Sequence, residues 1–275
     1  MIKFSHTIFA LPFALSAVIL AWESHPFSLW DLAWILTAMV SARSGAMGFN
    51  RIVDARIDEK NPRTAVREIP SGVLSPKEAI FFVGISCLIF IFSSAMLSGL
   101  CFILSFPVLF FLGFYSYTKR FTPYCHVYLG FAIGLAPVGA WVAITNTLDP
   151  GIIFLSMSLW TYIAGFDILY ACQDIDFDRE QGLFSLPATL GAKNAMNVAR
   201  LLHSMTMVFF VAMFFAFGMH PVFLVFLGLI GLVLIIEHQL VRPEDLTRIN
   251  LTFFHMNSIV SVALLIGVVV ETLLR

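Results

Sequence analysis

Charge is what this chain has least of. Asp, Glu, Lys and Arg make up 12% of its 275 residues, against 59% apolar side chains, and the mean hydropathy is +0.91. A soluble domain carries about 25% charged residues, so a water-facing shell around a compact core is excluded. Basic tracts are also missing, and the net charge of −1 marks no nucleic-acid partner. Cysteine is sparse. Cys87, Cys101, Cys125 and Cys172 lie singly in or beside apolar runs with no CxxC pair, which argues against a zinc set or a redox pair. The first apolar stretch lacks a small-residue cleavage pattern and others follow it, so it reads as a retained helix and not as a signal peptide.

What is present in quantity is helix-length apolar sequence. A spanning helix needs about 20 mostly apolar residues. Nine candidate stretches lie near residues 5–22, 32–50, 79–97, 101–117, 126–145, 152–174, 198–217, 221–236 and 252–272. The expected fold is all-α, an integral membrane protein of nine transmembrane helices arranged as two four-helix halves plus one. Residues 1–275 are expected to form a single domain. Lys and Arg set the orientation. Thirteen of the sixteen basic residues fall in the loops after the second, fourth, sixth and eighth stretches, or on the helix ends that feed them. The opposite loops hold none. The N-terminus, with Lys3, is therefore expected on the cytoplasmic side and the C-terminus outside. Two connections, roughly 51–78 and 174–197, are long and polar and occupy matching points of the two halves. "SPKE" at 75–78 offers Ser75 as N-cap, Pro76 at the first helical position and Glu78 to complete a capping box. Pro107, Pro137 and several glycines are expected to interrupt the fourth and fifth helices.

The scarce charges are concentrated. "GFNRIVDARIDEKNPRT" at 48–64 holds Arg51, Asp54, Arg56, Asp58, Glu59, Lys60 and Arg63. Read as a helix, Asn50, Asp54 and Asp58 recur every four residues and share one face. Carboxylates at that spacing repel by a few tenths of a kcal/mol even when exposed, so a cation is expected between them, with Arg51 and Arg56 at hand. "GFDILYACQDIDFDREQG" places Asp167, Tyr170, Asp174 and Asp178 at offsets that again form one helical face, with Asp167 about 10 Å deeper than Asp174. An acid at membrane depth costs about 2.5–3.5 kcal/mol on insertion scales and usually serves a purpose. Hard oxygen ligands of this kind suit Mg²⁺, usually held by one or two carboxylates together with substrate phosphates. Cations for a phosphate lie nearby: Arg63 and Arg67 in "NPRTAVR", and Lys119 and Arg120 in "YSYTKR", one turn past Tyr115.

These residues together resemble the UbiA family of intramembrane prenyltransferases, and the resemblance covers essentially the whole chain. The family's Asn with Asp at the fourth and eighth positions matches Asn50, Asp54 and Asp58. Its RTxxR extension matches Arg63, Thr64 and Arg67, and its YxxxK element matches Tyr115 and Lys119. The second Asp signature matches Asp174 and Asp178, with Tyr170 and Gln173 before and Gly182 and Ser185 after. The resemblance implies a single transmembrane prenyltransferase domain. Asn50, Asp54, Asp58, Asp174 and Asp178 would hold Mg²⁺ at the diphosphate of a polyprenyl donor. Asp54, Asp58, Asp174, Asp178 and Lys119 would be catalytic, and Asn50, Arg63, Arg67, Tyr115, Arg120, Tyr170, Asp167 and Arg43 would bind substrate. An aromatic ring carbon would then take the prenyl group.

Within the family, the stretch from Gly48 to Gly72 and the opening "IKFSHTIFALPFA" resemble the 4-hydroxybenzoate branch, especially members linked to menaquinone formation. His6 stands where the ubiquinone enzymes have a basic residue, and Glu68 stands where many relatives have proline. The acceptor is left open between 4-hydroxybenzoate and a dihydroxynaphthoate, with a tetrapyrrole or lipid alcohol as further acceptors. Arg43, two turns deeper than Asn50 on the same face, is a candidate anchor for an acceptor carboxylate, or a structural partner of Asp167. His6 is a second, weaker candidate. His203, Glu237, His238 and His255 show no such alignment and read as core residues. A cation-coupled secondary transporter is the reading from another class. The acids cluster at one membrane face and their cationic partners suit phosphate, which favours the enzyme in the cytoplasmic membrane with its site facing the cytoplasm.

Overall fold

A computed structural model of the chain describes residues 9–22, 24–26, 28–243, 245–246 and 248–275, without the side chains of 250, 251 and 253. His6 and Lys3 lie outside the described residues. Among the described residues eleven α-helices are present: α1 (Leu11–Trp22), α2 (Leu29–Lys60), α3 (Pro76–Leu97), α4 (Gly99–Thr118), α5 (Cys125–Thr145) and α6 (Pro150–Ala171), then α7 (Ile175–Glu180), α8 (Leu186–Leu190), α9 (Ala192–Ala216), α10 (Phe223–Leu240) and α11 (Ile249–Leu274). No strand occurs among the described residues. Eight helical segments among the described residues are long and apolar enough to cross a membrane, and α1 is shorter. The chain is an all-helical integral membrane protein. It divides into two compact units, one built on α2–α4 and the other on α1 and α5–α11.

In the first unit, α2 starts on a reciprocal cap. Asp31 N–H donates to Ser28 Oγ at 3.1 Å, and Ser28 N–H donates to Asp31 Oδ2 at 2.7 Å. The expected Ser75–Glu78 box starts α3 in the same way. Thirty-two residues at 1.5 Å each make α2 about 48 Å long, well beyond a hydrocarbon core of about 30 Å. Its last turns, with Asp54 and Asp58, therefore emerge at the polar end. Buried Ala38, Ser41, Ser44, Gly45 and Gly48 line α2. A Cβ added at Gly45 would lie 3.4 Å from Cys87 Sγ and 3.7 Å from Ser86 Cβ of α3. Small residues let helices approach where apolar burial gives no drive, because lipid is already apolar.

The second unit is organised on α6, the most buried of its spans. Phe13 of α1 stacks on Tyr162 of α6 and on Phe210 of α9, each at 6.0 Å between ring centres. Thr161 and Thr206 join α6 to α9 through their hydroxyls at 2.8 Å. Tyr162 donates its hydroxyl to Asn257 Oδ1 of α11 at 2.6 Å. His203 Nδ1 lies 3.0 Å from His238 Nε2 and 3.7 Å from Glu237 Oε2, so three residues read as core form one polar cluster. The helices run through both prolines, which corrects the expected interruptions at Pro107 and Pro137. Just past Pro137, Ser156 Oγ of α6 accepts from Val138 N–H at 3.2 Å, the neighbour-helix compensation that membranes require.

Two glycines bring α5 close against α6. Gly130 and Gly134 form a GxxxG pair, and a Cβ at Gly130 would overlap the Trp160 carbonyl oxygen. The Trp160 indole N–H also donates to Val127 O at 2.8 Å. Gly130→Ala is therefore expected to destabilise the protein by roughly 1–3 kcal/mol, read as a lowered Tm in detergent. Gly139→Ala on the same helix has open space around it and is expected to leave the Tm unchanged. Equal effects from the two substitutions would contradict this packing.

Candidate active site

The first acidic set is ordered by its own helix and by the loop that follows. Asn50 Nδ2 donates to Asp54 Oδ2 at 3.0 Å, so the i,i+4 register places the two side chains in contact as expected. Asp54 is 2% exposed and Asp58 is 4% exposed. After Lys60 the chain folds back. Thr64 Oγ1 donates to the Asp58 carbonyl at 3.1 Å, supplying one of the acceptor-to-donor pairs that a helix end lacks. Arg67 then reaches both carboxylate oxygens of Asp58 from Nη1, at 2.7 Å each. The "RTAVR" stretch is therefore a clamp in which threonine holds the helix end and the second arginine holds the carboxylate. The cation at this face is Arg67. Of the two arginines at hand in the sequence, Arg51 also pairs with Asp58, Nη1 to Oδ2 at 3.9 Å, while Arg56 is exposed. Arg63 is exposed, and its N–H donates to Asn61 Oδ1 at 2.9 Å. Arg43 is half-buried inside α2, and Tyr115 is half-buried in the last turn of α4.

The second set lies in the other unit and departs from the sequence reading. Asp167, Tyr170, Asp174 and Asp178 do not share one continuous α-helical face. α6 ends at Ala171, Cys172–Asp174 form a 3₁₀ turn, and α7 follows. The turn tightens because Cys172 N–H bonds the Leu169 and Tyr170 carbonyls, and Gln173 Nε2 caps the Tyr170 carbonyl at 3.1 Å. A 3₁₀ turn has fewer residues per turn than an α-helix, so the strict α period ends at Ala171, while Asp174 and Asp178 remain within electrostatic reach of each other. Asp178 accepts from Ser185 Oγ at 2.8 Å, and Ser185 Oγ in turn caps α8 through Ala188 N–H at 3.2 Å. Phe184 N–H donates to the Lys119 carbonyl at 2.7 Å, which fixes the turn of Lys119 and exposed Arg120 beside this loop. Lys119 is within electrostatic reach of Asp178. Beneath the loop, Cys172, Leu186, Ala195, Met196, Val241 and Ile249 form an apolar cluster that supports its position.

Asp167 has a partner on another helix. Its Oδ2 lies 2.7 Å from Nδ1 of His126, the second residue of α5. Sequence reasoning missed His126. The pair is separated by 41 positions, and the only local signal was an ionisable residue at the mouth of an apolar run. Among the described residues no three His, Cys, Asp or Glu side chains converge to hold a metal alone. The donor set still fits a hard divalent ion, because each acidic set offers carboxylate or amide oxygens and such an ion is usually completed by phosphate oxygens and water.

This fold is shared with known proteins. The UbiA prenyltransferase family profile matches residues 10–259. The chain belongs to the UbiA prenyltransferase family. It is a polyprenyltransferase, an enzyme embedded in the membrane by apolar helices. The apo structure of a UbiA homolog from Aeropyrum pernix K1 is 32% identical, with a TM-score of 0.88 over 98% of this chain and 99% of that one. A 4-hydroxybenzoate octaprenyltransferase of Vibrio atlanticus (strain LGP32) is 29% identical over 242 residues, 86% of this chain and 82% of that protein. A UbiA homolog from Archaeoglobus fulgidus bound to DMAPP and Mg²⁺ shares the fold at 17% identity, with a TM-score of 0.68 over 94% of this chain and 95% of that one. The transporter alternative falls with the family membership.

In this UbiA member the Asp58–Arg67 pair gives a direct test. Removing one partner of a buried ion pair leaves the other uncompensated, which typically costs 3–5 kcal/mol. A quarter of the Arg67 side chain is exposed, so Arg67→Gln is expected to cost less, roughly 1–3 kcal/mol. The double variant Asp58→Asn/Arg67→Gln should recover part of that loss. Thermal unfolding of the wild type, both single variants and the double variant in detergent measures it, and additive losses would contradict the clamp.

Proposed function

We propose that this UbiA member transfers a polyprenyl group from a polyprenyl diphosphate to a hydroxylated aromatic acid of the 4-hydroxybenzoate type, as a step in quinone biosynthesis. The observation that carries this reading is the clamp of buried Asp58 by Arg67 at 2.7 Å. A carboxylate suited to a cation and a guanidinium suited to phosphate are thereby held together at the emerging end of α2. The Vibrio relative's name supports the acceptor class. The Archaeoglobus homolog bound to DMAPP and Mg²⁺ supports a prenyl diphosphate donor and this metal.

In this account Asn50, Asp54, Asp58, Asp174 and Asp178 hold Mg²⁺. When bound, Mg²⁺ supplies positive charge to the diphosphate as it leaves. Arg63, Arg67, Lys119 and Arg120 bind the same diphosphate and stabilise the charge that develops on it. Tyr115 and Tyr170 contribute hydroxyl hydrogen bonds. Arg43, deeper in α2, anchors the acceptor carboxylate, for which its planar fork is suited. Asp167 acts on the acceptor side through His126. The apolar helices accept a donor tail as apolar as lipid and keep water from the allylic cation. The chain works as one catalytic domain over 1–275. It has nine spans in the four-plus-four-plus-one arrangement, with its N-terminus and site on the cytoplasmic side of the cytoplasmic membrane.

The test supplies membranes containing the protein with a long-chain prenyl diphosphate and, in parallel, 4-hydroxybenzoate or a dihydroxynaphthoate. A ring-prenylated product that vanishes with a chelator is expected. Product from the naphthoate alone would transfer the same chemistry to the bicyclic acceptor. Product from neither acceptor, with insertion verified, would overturn the reading. Asp54→Asn and Asp174→Asn are expected to lower turnover at least about 100-fold without loss of folding, and Tyr115→Phe to lower it about 10-fold or less. Near wild-type turnover in either Asp variant would remove those residues from the metal set.

A further inference from the structure

The first unit contains a groove that the diphosphate chemistry leaves unused. It lies between α2 and α3 and has a volume of about 460 Å³, within the range of about 300–1,000 Å³ common for small-molecule sites. Hydroxyls line it, from Thr37, Ser41 and Ser44 of α2 and Ser86 of α3, while Val40, Phe82 and Ile85 supply apolar walls. None of its lining residues, all of them described, is ionisable. Thr37 donates to Ala33 O at 2.8 Å, Ser41 to Thr37 O at 2.6 Å and Ser86 to Phe82 O at 2.8 Å. Each of these hydroxyls keeps a lone pair for an incoming donor. Ser44 differs. It is 9% exposed and makes no hydrogen bond among the described residues, so its O–H is available as well.

Depth narrows the occupant. Ser44 precedes Asp54 by about 15 Å along α2, and Thr37 follows exposed Trp30 by about 10 Å. Against a hydrocarbon core of about 30 Å, these hydroxyls sit in its interior. Phospholipid headgroups stay in the interfacial layers, and acyl chains carry neither donor nor acceptor, so ordinary lipid leaves Ser44 unmatched. The occupant that fits brings a hydroxyl to this depth on an apolar body. It is uncharged, because no cation lines the groove to meet a carboxylate or a phosphate. That excludes the prenyl diphosphate, the hydroxybenzoate acceptor and the prenylated acid. A phenolic hydroxyl both donates and accepts, which matches the lone pairs of Ser41 and Ser86 and the O–H of Ser44. Phe82 offers its ring to the ring of such a ligand.

We propose that this groove binds a neutral prenylated phenol or hydroquinone. A decarboxylation must then separate this enzyme's own product from that ligand. The kinship of the two rests on the aromatic-acceptor reading above, whereas the binding does not. The test uses full-length protein in phosphatidylcholine nanodiscs under reducing conditions, with radiolabelled geranyl hydroquinone followed by scintillation proximity. Saturable binding is expected, and a prenyl thiolodiphosphate added with Mg²⁺ to fill the diphosphate site should not displace it. The dimethyl ether of the probe, geraniol and geranyl 4-hydroxybenzoate are expected to compete at least about 10-fold more weakly than the unlabelled probe. Ser44→Ala is expected to weaken binding about 3–10-fold with turnover unchanged, and Ser44→Leu, which fills the groove, to abolish binding. Should Ser44→Leu fail to fold, Ser44→Ala and the ether comparison on wild-type protein decide. No saturable binding, displacement by the thiolodiphosphate, or equal competition by the ether or by geraniol would overturn the proposal. These comparisons need no turnover, so failure of the transferase reading shows separately, as absence of any ring-prenylated product.

Discussion

The carboxylates of this chain sit at the margin of a low-dielectric medium, where an ionised oxygen without a donor or a cation is disfavoured by several kcal/mol. The polar end of each unit is built around meeting that requirement. Asp58 receives Arg67, Asp54 receives Asn50, Asp178 receives Ser185 and Asp167 meets His126. Each partner is delivered by a specific piece of backbone: the fold-back after α2, the loop between α7 and α8, or the first turn of α5. The same demand makes the site receptive to a cation accompanied by an anion.

Helix packing serves this arrangement at a distance. Small residues on α2 and the glycine pair on α5 bring helices close enough for side chains such as Trp160 and Ser156 to bond neighbouring backbone. α6 is held on several sides, and that rigidity fixes where its C-terminal end gives way to the 3₁₀ turn. The apolar cluster of Cys172, Leu186, Met196 and Val241 then anchors the short helices that carry Asp178 and Ser185.

Much of this was legible in the sequence where the causes are local. The i,i+4 contact of Asn50 with Asp54 follows from helical period alone, and the Ser75–Glu78 cap follows from residue order. Eight of the nine apolar runs coincide with helices long enough to span, because membrane depth demands that length, while the first run holds the shorter α1. The losses have non-local causes. Arg67 reaches Asp58 only because the chain reverses after Lys60, which the spacing of Arg51 and Arg56 concealed. The face from Asp167 to Asp178 breaks at Cys172, where a 3₁₀ turn replaces the assumed α period. Pro107 and Pro137 remain within helices, with a neighbouring Ser156 bonding the backbone beside Pro137. His126 and Asp167 meet across 41 positions, a pairing that no window along one sequence reveals.

The central claim is that the acidic sets, already matched to donors and to Arg67, take up a divalent ion together with the diphosphate and not before it. The most direct measurement replaces Mg²⁺ with Mn²⁺ and follows bound manganese by electron paramagnetic resonance. The purified full-length protein is compared with and without an unreactive prenyl thiolodiphosphate. The account predicts little bound Mn²⁺ with the protein alone, and a protein-bound signal when the analogue is added that is lost in Asp54→Asn. Tight Mn²⁺ binding without the analogue, or no added binding with it, would contradict the account.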